Sequence, residues 1–317
     1  MNIDKLIGNT PTIKIKIKYK EKITNIFAKL EYYNFTGSIK DRLANYIIQE
    51  SYKDKTLKEK MPIVEATSGN TGISFAALGA YYGHPVHIFM PDWASIERIN
   101  IMKLYGAKVY LISKEEGGFK ETIKQADILA KKINGFRPDQ FNNEKNIEAH
   151  YNTTGKEIVE KINKIDGFVS GIGTGGTLIG TAKRIKEKFP KAKIIALEPK
   201  QMPILSTGKI IENHRIEGIG DDFIPNIVDK SIIDKIITVD DEDAINMSRI
   251  LARTIGLGVG ISSGANLIAS ALSNLENVVT IFADDFKKYL TTDLTKEINE
   301  DKKLISNNIE ILSVEYI

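Results

Sequence analysis

Three glycine- and hydroxyl-rich loops hold most of the residues whose chemistry stands out. Residues 167–177 read GFVSGIGTGGT, and Gly171, Gly173 and Gly176 satisfy GxGxxG between a strand-like and a helical run. Glu198 follows at the distance a dinucleotide site would want. Such glycines let the backbone fold into a nest of N–H donors at a helix N-terminus, which suits a phosphate without saying which one. Thr174 and Thr177 add hydroxyl donors, and a tight turn needing glycine is the bland alternative. A second loop, Thr67, Ser68, Gly69, Asn70, Thr71 and Gly72, also joins a strand to a helix. Its donors suit a carboxylate or a phenolate oxygen, or else form only an elaborate N-cap. The remaining loop, residues 34–42, carries Lys40 into the first turn of a helix. The positive end of the helix dipole and nearby Arg42 lower the pKa of that amine, while Asp41 opposes them. Such a lysine is either unremarkable and solvated or a candidate Schiff-base amine.

The elements that must position these loops alternate. Strand-like runs fall at 63–66, 86–90, 109–112, 167–170, 193–197, 236–239 and 278–282. Helical patterns lie between them, at 42–51, 73–82, 97–105, 120–133 and 178–188. This alternation predicts an α/β fold with mostly parallel sheets covered by helices. Ahead of it, Ile13, Ile15, Ile17 and Tyr19 alternate with Lys14, Lys16, Lys18 and Lys20, as in a strand with one buried face. The lysine row reads as a solvated edge face rather than an anion stripe. A second strand is expected at 25–30, and a division of the chain near the polar stretch 142–152. The 317 residues carry 44 basic and 41 acidic side chains, a net charge of +3, too small to point to nucleic acid or an anionic membrane. There is no cysteine, so disulfides, thiolate catalysis and cysteine-ligated metals are excluded. The four histidines show no metal-ligand spacing, and no metal is expected. No run resembles a signal peptide or a membrane span, so the expectation is a soluble cytoplasmic protein.

Taken together and in this order, SIKDR, TSGNTG and GTGGT resemble the cysteine synthase and cystathionine β-synthase family of pyridoxal-phosphate enzymes. The likeness extends to IGNTP at 7–11, the segment 91–109, QFNN at 140–143, TTGKEI at 153–158, EGIGDDFIP at 217–225 and GISSGA at 260–265. It covers the chain to about residue 294. The resemblance implies fold type II, tryptophan synthase β-like: two parallel-type three-layer α/β domains. One is a small mobile domain of residues 40–146, the other a large domain of residues 1–39 plus 147–317. It implies pyridoxal 5'-phosphate bound to Lys40 as an internal aldimine, with Lys40 also moving the Cα proton. Gly173, Thr174, Gly175, Gly176 and Thr177 would cradle the phosphate, Asn70 would bond the ring hydroxyl and Ser262 would face the pyridine nitrogen. Thr67, Ser68, Thr71 and Gln140 would grip the carboxylate of an amino-acid substrate, with Ser68 counted among the catalytic groups. A homodimer is implied as well.

One departure bears on the reaction. Ordinary relatives read GIGAG before FIP, whereas this chain has Gly218, Ile219, Gly220, Asp221 and Asp222. Asp221 stands where a small alanine is expected, beside the substrate's β-substituent. A carboxylate there can hydrogen-bond a thiol leaving group or act as general base for a nucleophile, and it repels anionic hydrosulfide. The expectation is therefore β-replacement on L-cysteine that releases hydrogen sulfide through an α-aminoacrylate. Water as nucleophile gives L-serine; a second cysteine gives lanthionine. The alternatives are cysteine synthesis from O-acetylserine and, more remotely, a non-catalytic binding protein or a nicotinamide enzyme. A lesser departure is ADDFKKYLTT at 283–292, which alters the expected pocket floor. The tail beyond residue 295, ending ILSVEYI, is expected to pack on a dimer mate or another partner.

Overall fold

The computed structural model describes residues 3–296 and 303–317. Its strands are β1 (Thr12–Tyr19), β2 (Lys22–Leu30), β3 (Ile63–Ala66), β4 (Val86–Pro91), β5 (Lys108–Ile112), β6 (Gly167–Gly171), β7 (Lys193–Pro199), β8 (Lys235–Val239), β9 (Asn277–Phe282) and β10 (Ile309–Tyr316). Its helices are α1 (Lys40–Lys53), α2 (Asn70–Tyr82), α3 (Ile96–Leu104), α4 (Gly118–Lys132), α5 (Lys145–His150), α6 (Lys156–Lys161), α7 (Gly176–Lys188), α8 (Ile204–Thr207), α9 (Asp241–Ile255) and α10 (Ile261–Leu272). None of the described helices is long and apolar enough to cross a membrane.

Two sheets organise these elements. The larger has seven strands in the order β10-β1-β2-β9-β6-β7-β8, and the smaller has the order β3-β4-β5. From β2 through β9, β6, β7 and β8 every pairing is parallel, as is every pairing in the small sheet. Parallel strands need crossover helices and bury both faces, which accounts for wholly buried runs such as IVEA in β3 and NVVTIF in β9. Distinct apolar clusters pack against the two sheets. Ile195, Leu197 and Val278 belong to one on the large sheet, and Ile63, Ile88 and Met90 to one on the small sheet.

The lysine-rich strand behaves as its alternation predicts, with Ile13, Ile15 and Ile17 buried and Lys14, Lys16 and Lys18 half-buried. It is not an edge, however. β1 pairs antiparallel with β2 on one side and with β10 on the other. The ILSVEYI tail thus adds the outer strand of its own chain's sheet, and Glu315 in it pairs with Lys14 at 3.1 Å. Residues 297–302 of the tail lie outside the described residues. The polar stretch around 142–152 is largely helical. α5 runs into a π-helical turn at Tyr151–Gly155 and then into α6, so the 146/147 boundary falls inside a helix. Eleven of the twelve residues of α10 are buried.

Candidate active site

The loops meet at the carboxyl ends of parallel strands, where an α/β sheet opens a crevice. β3 delivers residues 67–72 to the start of α2, and β6 delivers residues 172–175 to the start of α7. One cleft is lined by Lys40, Asn70, Gly173, Thr174, Gly175, Thr177 and Ser262. It shares Glu217, Gly218 and Ile219 with a wider cavity of about 830 Å³, which Ser68, Asp221 and Asp222 also line.

Lys40 is the first residue of α1, held there by its neighbours. The Ile39 N–H donates to Ala283 O at 2.9 Å, and Lys288 Nζ donates to Gly37 O at 2.8 Å. Among the described residues, Lys40 Nζ has no hydrogen-bond or ion-pair partner. Burial lowers its pKa, Asp284 and Asp221 oppose that, and Lys288 reinforces it. The sequence neighbours named for this role act elsewhere. Arg42 is tied into a buried cluster, with Nε 2.6 Å from Glu31 Oε2 and Nη1 2.6 Å from Glu157 Oε1. Asp41 accepts from the Thr36 N–H and the Ser74 hydroxyl, both at 2.6 Å, and burial raises its pKa. Both contacts brace the start of α1 rather than tune the amine.

The second loop is closed on itself. The Thr67 hydroxyl accepts from the Gly69 N–H at 2.9 Å, and the Thr71 hydroxyl donates to Gln140 Oε1 at 2.7 Å. Gln140 Nε2 donates to Ala66 O at 2.8 Å. Thr67, Thr71 and Gln140 are buried beneath the loop and line neither cavity, while Ser68 faces the wider one. Asn70 Nδ2 donates to Asp284 Oδ2 at 2.7 Å, which leaves Asn70 Oδ1 buried without a partner.

In the third loop Gly175 has φ +91°, and a Cβ there would meet Val228 at 2.4 Å. A Cβ on Gly173 would meet Gly218 O at 2.5 Å, and one on Gly171 would meet Ile219 at 2.6 Å. Gly176 stands one layer back, against Asn146 Oδ1, and does not line the cleft. Thr174 accepts from Asn146 Nδ2 at 2.9 Å, and Thr177 lies 3.3 Å from His150 Nε2. The Glu198 carboxylate accepts from the backbone N–H groups of Leu205 and Ser206, at 2.7 and 3.2 Å. Capping α8 in this way removes Glu198 from any dinucleotide role. Ser262 lies in the first turn of α10, so its hydroxyl sits at a helix N-terminus on the cleft wall.

Asp221 is the most perturbed acid of the cavity. Burial and the adjacent Asp222 push its pKa up to about 7, against the pull of Lys40. Asp222 Oδ1 is buried without a partner. Sequence reasoning missed four nearby groups. Asp284 Oδ2 accepts from Asn70 and, at 2.7 Å, from the Tyr289 hydroxyl. Arg98 lies over the Tyr289 ring at 4.6 Å and pairs with Glu217. Asp284 and Tyr289 fall in the segment 283–292, whose departure from the family pattern was the available signal. Arg98 and Glu217 lie in the quoted segments 91–109 and 217–225, but nothing in those segments pointed to their pairing, because only long-range contact gives them a role.

A family profile described as pyridoxal-phosphate dependent enzyme matches residues 3–284. The chain belongs to that family. The cleft suits the cofactor on physical grounds: an unpartnered amine, an orphaned amide oxygen, and a glycine loop at a helix N-terminus whose hydroxyls face the cleft. Cysteine synthase B of Campylobacter jejuni subsp. jejuni is 42% identical over 92% of this chain and 97% of its own. The crystal structure of a hydrogen sulfide-producing enzyme from Fusobacterium nucleatum is 48% identical, covers 99% of this chain and 98% of that one, and has a TM-score of 0.94. A further structure of a hydrogen sulfide-producing enzyme holds an aspartate-to-asparagine mutant complexed with an α-aminoacrylate intermediate, at TM-score 0.95, 48% identity and the same coverage. A cysteine synthase from Entamoeba histolytica is 38% identical over 96% of this chain and 94% of that one, with a TM-score of 0.86. The family member described here is thus a tryptophan synthase β-like α/β enzyme that uses pyridoxal 5'-phosphate for β-replacement.

Proposed function

We propose that the enzyme converts L-cysteine and water to L-serine and hydrogen sulfide. The observation that carries this reading is Asp221, a carboxyl with a pKa of about 7 on the wall of the substrate cavity and within electrostatic reach of Lys40. Likeness to hydrogen sulfide-producing enzymes supports it.

Lys40 would hold the cofactor, the backbone N–H groups and hydroxyls of residues 173–177 its phosphate, Asn70 its ring oxygen, and Ser262 its pyridine nitrogen. Bound there, pyridoxal 5'-phosphate supplies an electron sink that acidifies Cα–H and lets the β-substituent leave. The chain's own groups do the rest. Ser68 and the backbone N–H groups of the 67–72 loop, which Thr67, Thr71 and Gln140 brace from beneath, hold the substrate carboxylate, and this aims Cα–H at Lys40. The Lys40 amine, with its lowered pKa, takes that proton. The ionised Asp221 accepts a hydrogen bond from the thiol S–H. The Cβ–S bond then breaks with its electron pair on sulfur, and HS⁻ departs past a carboxylate that repels it. Water adds through oxygen to Cβ and gives a proton to Asp221, which releases it to solvent, where it balances the departed HS⁻ as hydrogen sulfide. Lys40 returns its proton to Cα, so that cysteine and water balance serine and hydrogen sulfide.

Residues 40–146, which contain the small sheet, are on this reading the unit that closes over the substrate, and the active assembly is a homodimer. The cavity of about 830 Å³ has room for a second cysteine, which favours lanthionine as the next product to seek. The cysteine synthase relatives favour O-acetylserine plus sulfide as the second reading. Purified holoenzyme incubated with L-cysteine in water enriched in heavy oxygen separates these by mass spectrometry. Labelled serine with sulfide is the expected result. Lanthionine with sulfide makes cysteine the acceptor, and unchanged cysteine overturns the proposal in favour of cysteine synthesis.

A further inference from the structure

Residues 217–223 belong to the connection between β7 and β8 of the large sheet, yet both ends of the segment are fastened to the small-sheet side. At one end Glu217 pairs with Arg98 of α3. Arg98 is only 2% exposed, and its stem fills the space a Gly69 side chain would need, with Cδ 2.2 Å from that Cβ position. At the other end the Phe223 ring stacks near Phe119 of α4, centroids 6.3 Å apart, and meets the edge of Phe141 at 5.1 Å. The middle is fastened to the glycine loop. The Gly220 N–H donates to Ile172 O at 2.8 Å, and Gly218 and Ile219 occupy the space left by Gly173 and Gly171. His214 Nε2 donates to Gly220 O at 2.6 Å. Asp221 and Asp222 lie between these ties.

We propose that residues 217–223 form a strap across the cleft, and that the Glu217–Arg98 pair positions Asp221 over the reacting carbon. Glu217 and Arg98 are then positioning residues for the reaction. This rests on the reading of Asp221 as the base. The pair is built to hold. Arg98 is desolvated, its Nε has no partner among the described residues, and losing Glu217 would leave a buried guanidinium without its ion-pair partner. It also joins two parts of the substrate site. Any movement of Gly69 in the loop that grips the carboxylate presses on the Arg98 stem, and Arg98 conveys it to the strap. A substrate carboxylate seated in that loop therefore favours the strap position that presents Asp221.

The test is Glu217→Gln in the holoenzyme, which keeps size and a hydrogen-bonding group and removes the charge. The expected result is a kcat for sulfide release from L-cysteine lowered by roughly 10²-fold, the cost of a misplacement of about 1 Å. KM changes little, the cofactor's visible absorption is unaltered, and the rise of rate with pH is displaced. The double variant with Asp221→Asn is no slower than Asp221→Asn alone. Losses that multiply in the double variant, or a Glu217→Gln enzyme with unchanged kcat and pH profile, overturn the strap. An Asp221→Asn enzyme with full sulfide release refutes the base itself, and the strap's role falls with it. Arg98→Lys provides a second approach to the same pair, with the same pattern expected.

Discussion

Replacing Asp221 by asparagine removes the proton acceptor while keeping its size and one hydrogen-bonding oxygen. The magnitude follows from the pKa of about 7 that burial and Asp222 impose. A group with that pKa is about 9% ionised at pH 6 and about 91% ionised at pH 8, roughly a tenfold change in the basic form. The substrate thiol, with an ordinary pKa of about 8.5, also titrates near this range, but it does so equally for both enzymes. The ratio of wild-type to Asp221→Asn kcat/KM isolates the carboxylate. It should rise about tenfold between pH 6 and pH 8 and reach roughly 10²–10⁴ on the plateau, the usual contribution of a general base. Sulfide release from L-cysteine across that range measures it. A ratio that is flat with pH, or a plateau loss below tenfold, refutes the reasoning. Stability gives an independent check. The folded-state pKa lies above the unfolded value of 3.8, so the native chain holds the Asp221 proton more tightly than the unfolded chain. Its contribution to stability is therefore intact below about pH 4 and is lost as pH rises toward 7. The shift of about 3 units sets a ceiling of about 4 kcal/mol. Water in the open cavity screens part of that, leaving about 1–2 kcal/mol as the expected penalty. Asparagine carries no such penalty, so the variant should melt a few degrees higher than wild type at pH 8 and at the same temperature near pH 4.

Lys40→Ala should lose the cofactor's imine absorption and lower sulfide release by roughly 10³-fold or more, read by spectrum and by sulfide assay. Gly173→Ala places a methyl 2.5 Å from Gly218 O, backbone that cannot swing aside. Overpacking of about 1–3 kcal/mol predicts cofactor affinity weakened by roughly tenfold or more in a titration, with catalysis impaired because the strap is displaced. Truncation after Asn308 removes β10 and exposes the flank of β1 that it covers, together with the site where Ile309 is buried. A melting temperature lowered by several degrees and a greater tendency to aggregate are expected by calorimetry and light scattering.

The three loops were legible because their chemistry is local. A hydroxyl, a glycine or a lysine at the end of a parallel strand keeps its meaning whatever surrounds it, and Lys40, Asn70 and Thr174 do line one cleft. The strands were legible from buried runs and the one period-two segment. What stayed hidden depends on distance in the chain. Asn70 meets Asp284 across 214 residues, and Arg98 meets Glu217 across the cleft. The charges acting on Lys40 are likewise Asp284, Asp221 and Lys288 rather than its neighbours Asp41 and Arg42. Helix geometry explains the difference. Side chains one and two residues apart point to different faces, so adjacency in sequence is a poor guide to which charge an amine feels. The outermost strand was hidden for another reason: its alternation of Ile309, Glu310 and Ile311, resumed from Ser313 to Tyr316, is broken at Leu312, where the pairing with β1 shifts register.

GxGxxG shows how one pattern can have two physical causes. In a dinucleotide site the glycines admit a pyrophosphate and a close helix. Here Gly171 and Gly173 instead admit Ile219 and the Gly218 carbonyl, so the same small residues that open a phosphate cradle also let residues 217–223 lie against it. The cradle and the segment bearing Asp221 are therefore one packing unit. A side chain added to the cradle would displace the aspartate, and a change in the segment would be felt at the phosphate. On the proposed reading this explains how a shared cofactor platform can be turned from consuming sulfide to releasing it. Lys40, Asn70 and Ser262 themselves need no alteration, because they act on Cα and on the ring. The identity of the residue presented to Cβ decides whether an anionic sulfur nucleophile is admitted or repelled, and that residue rides on a segment packed against both halves of the site.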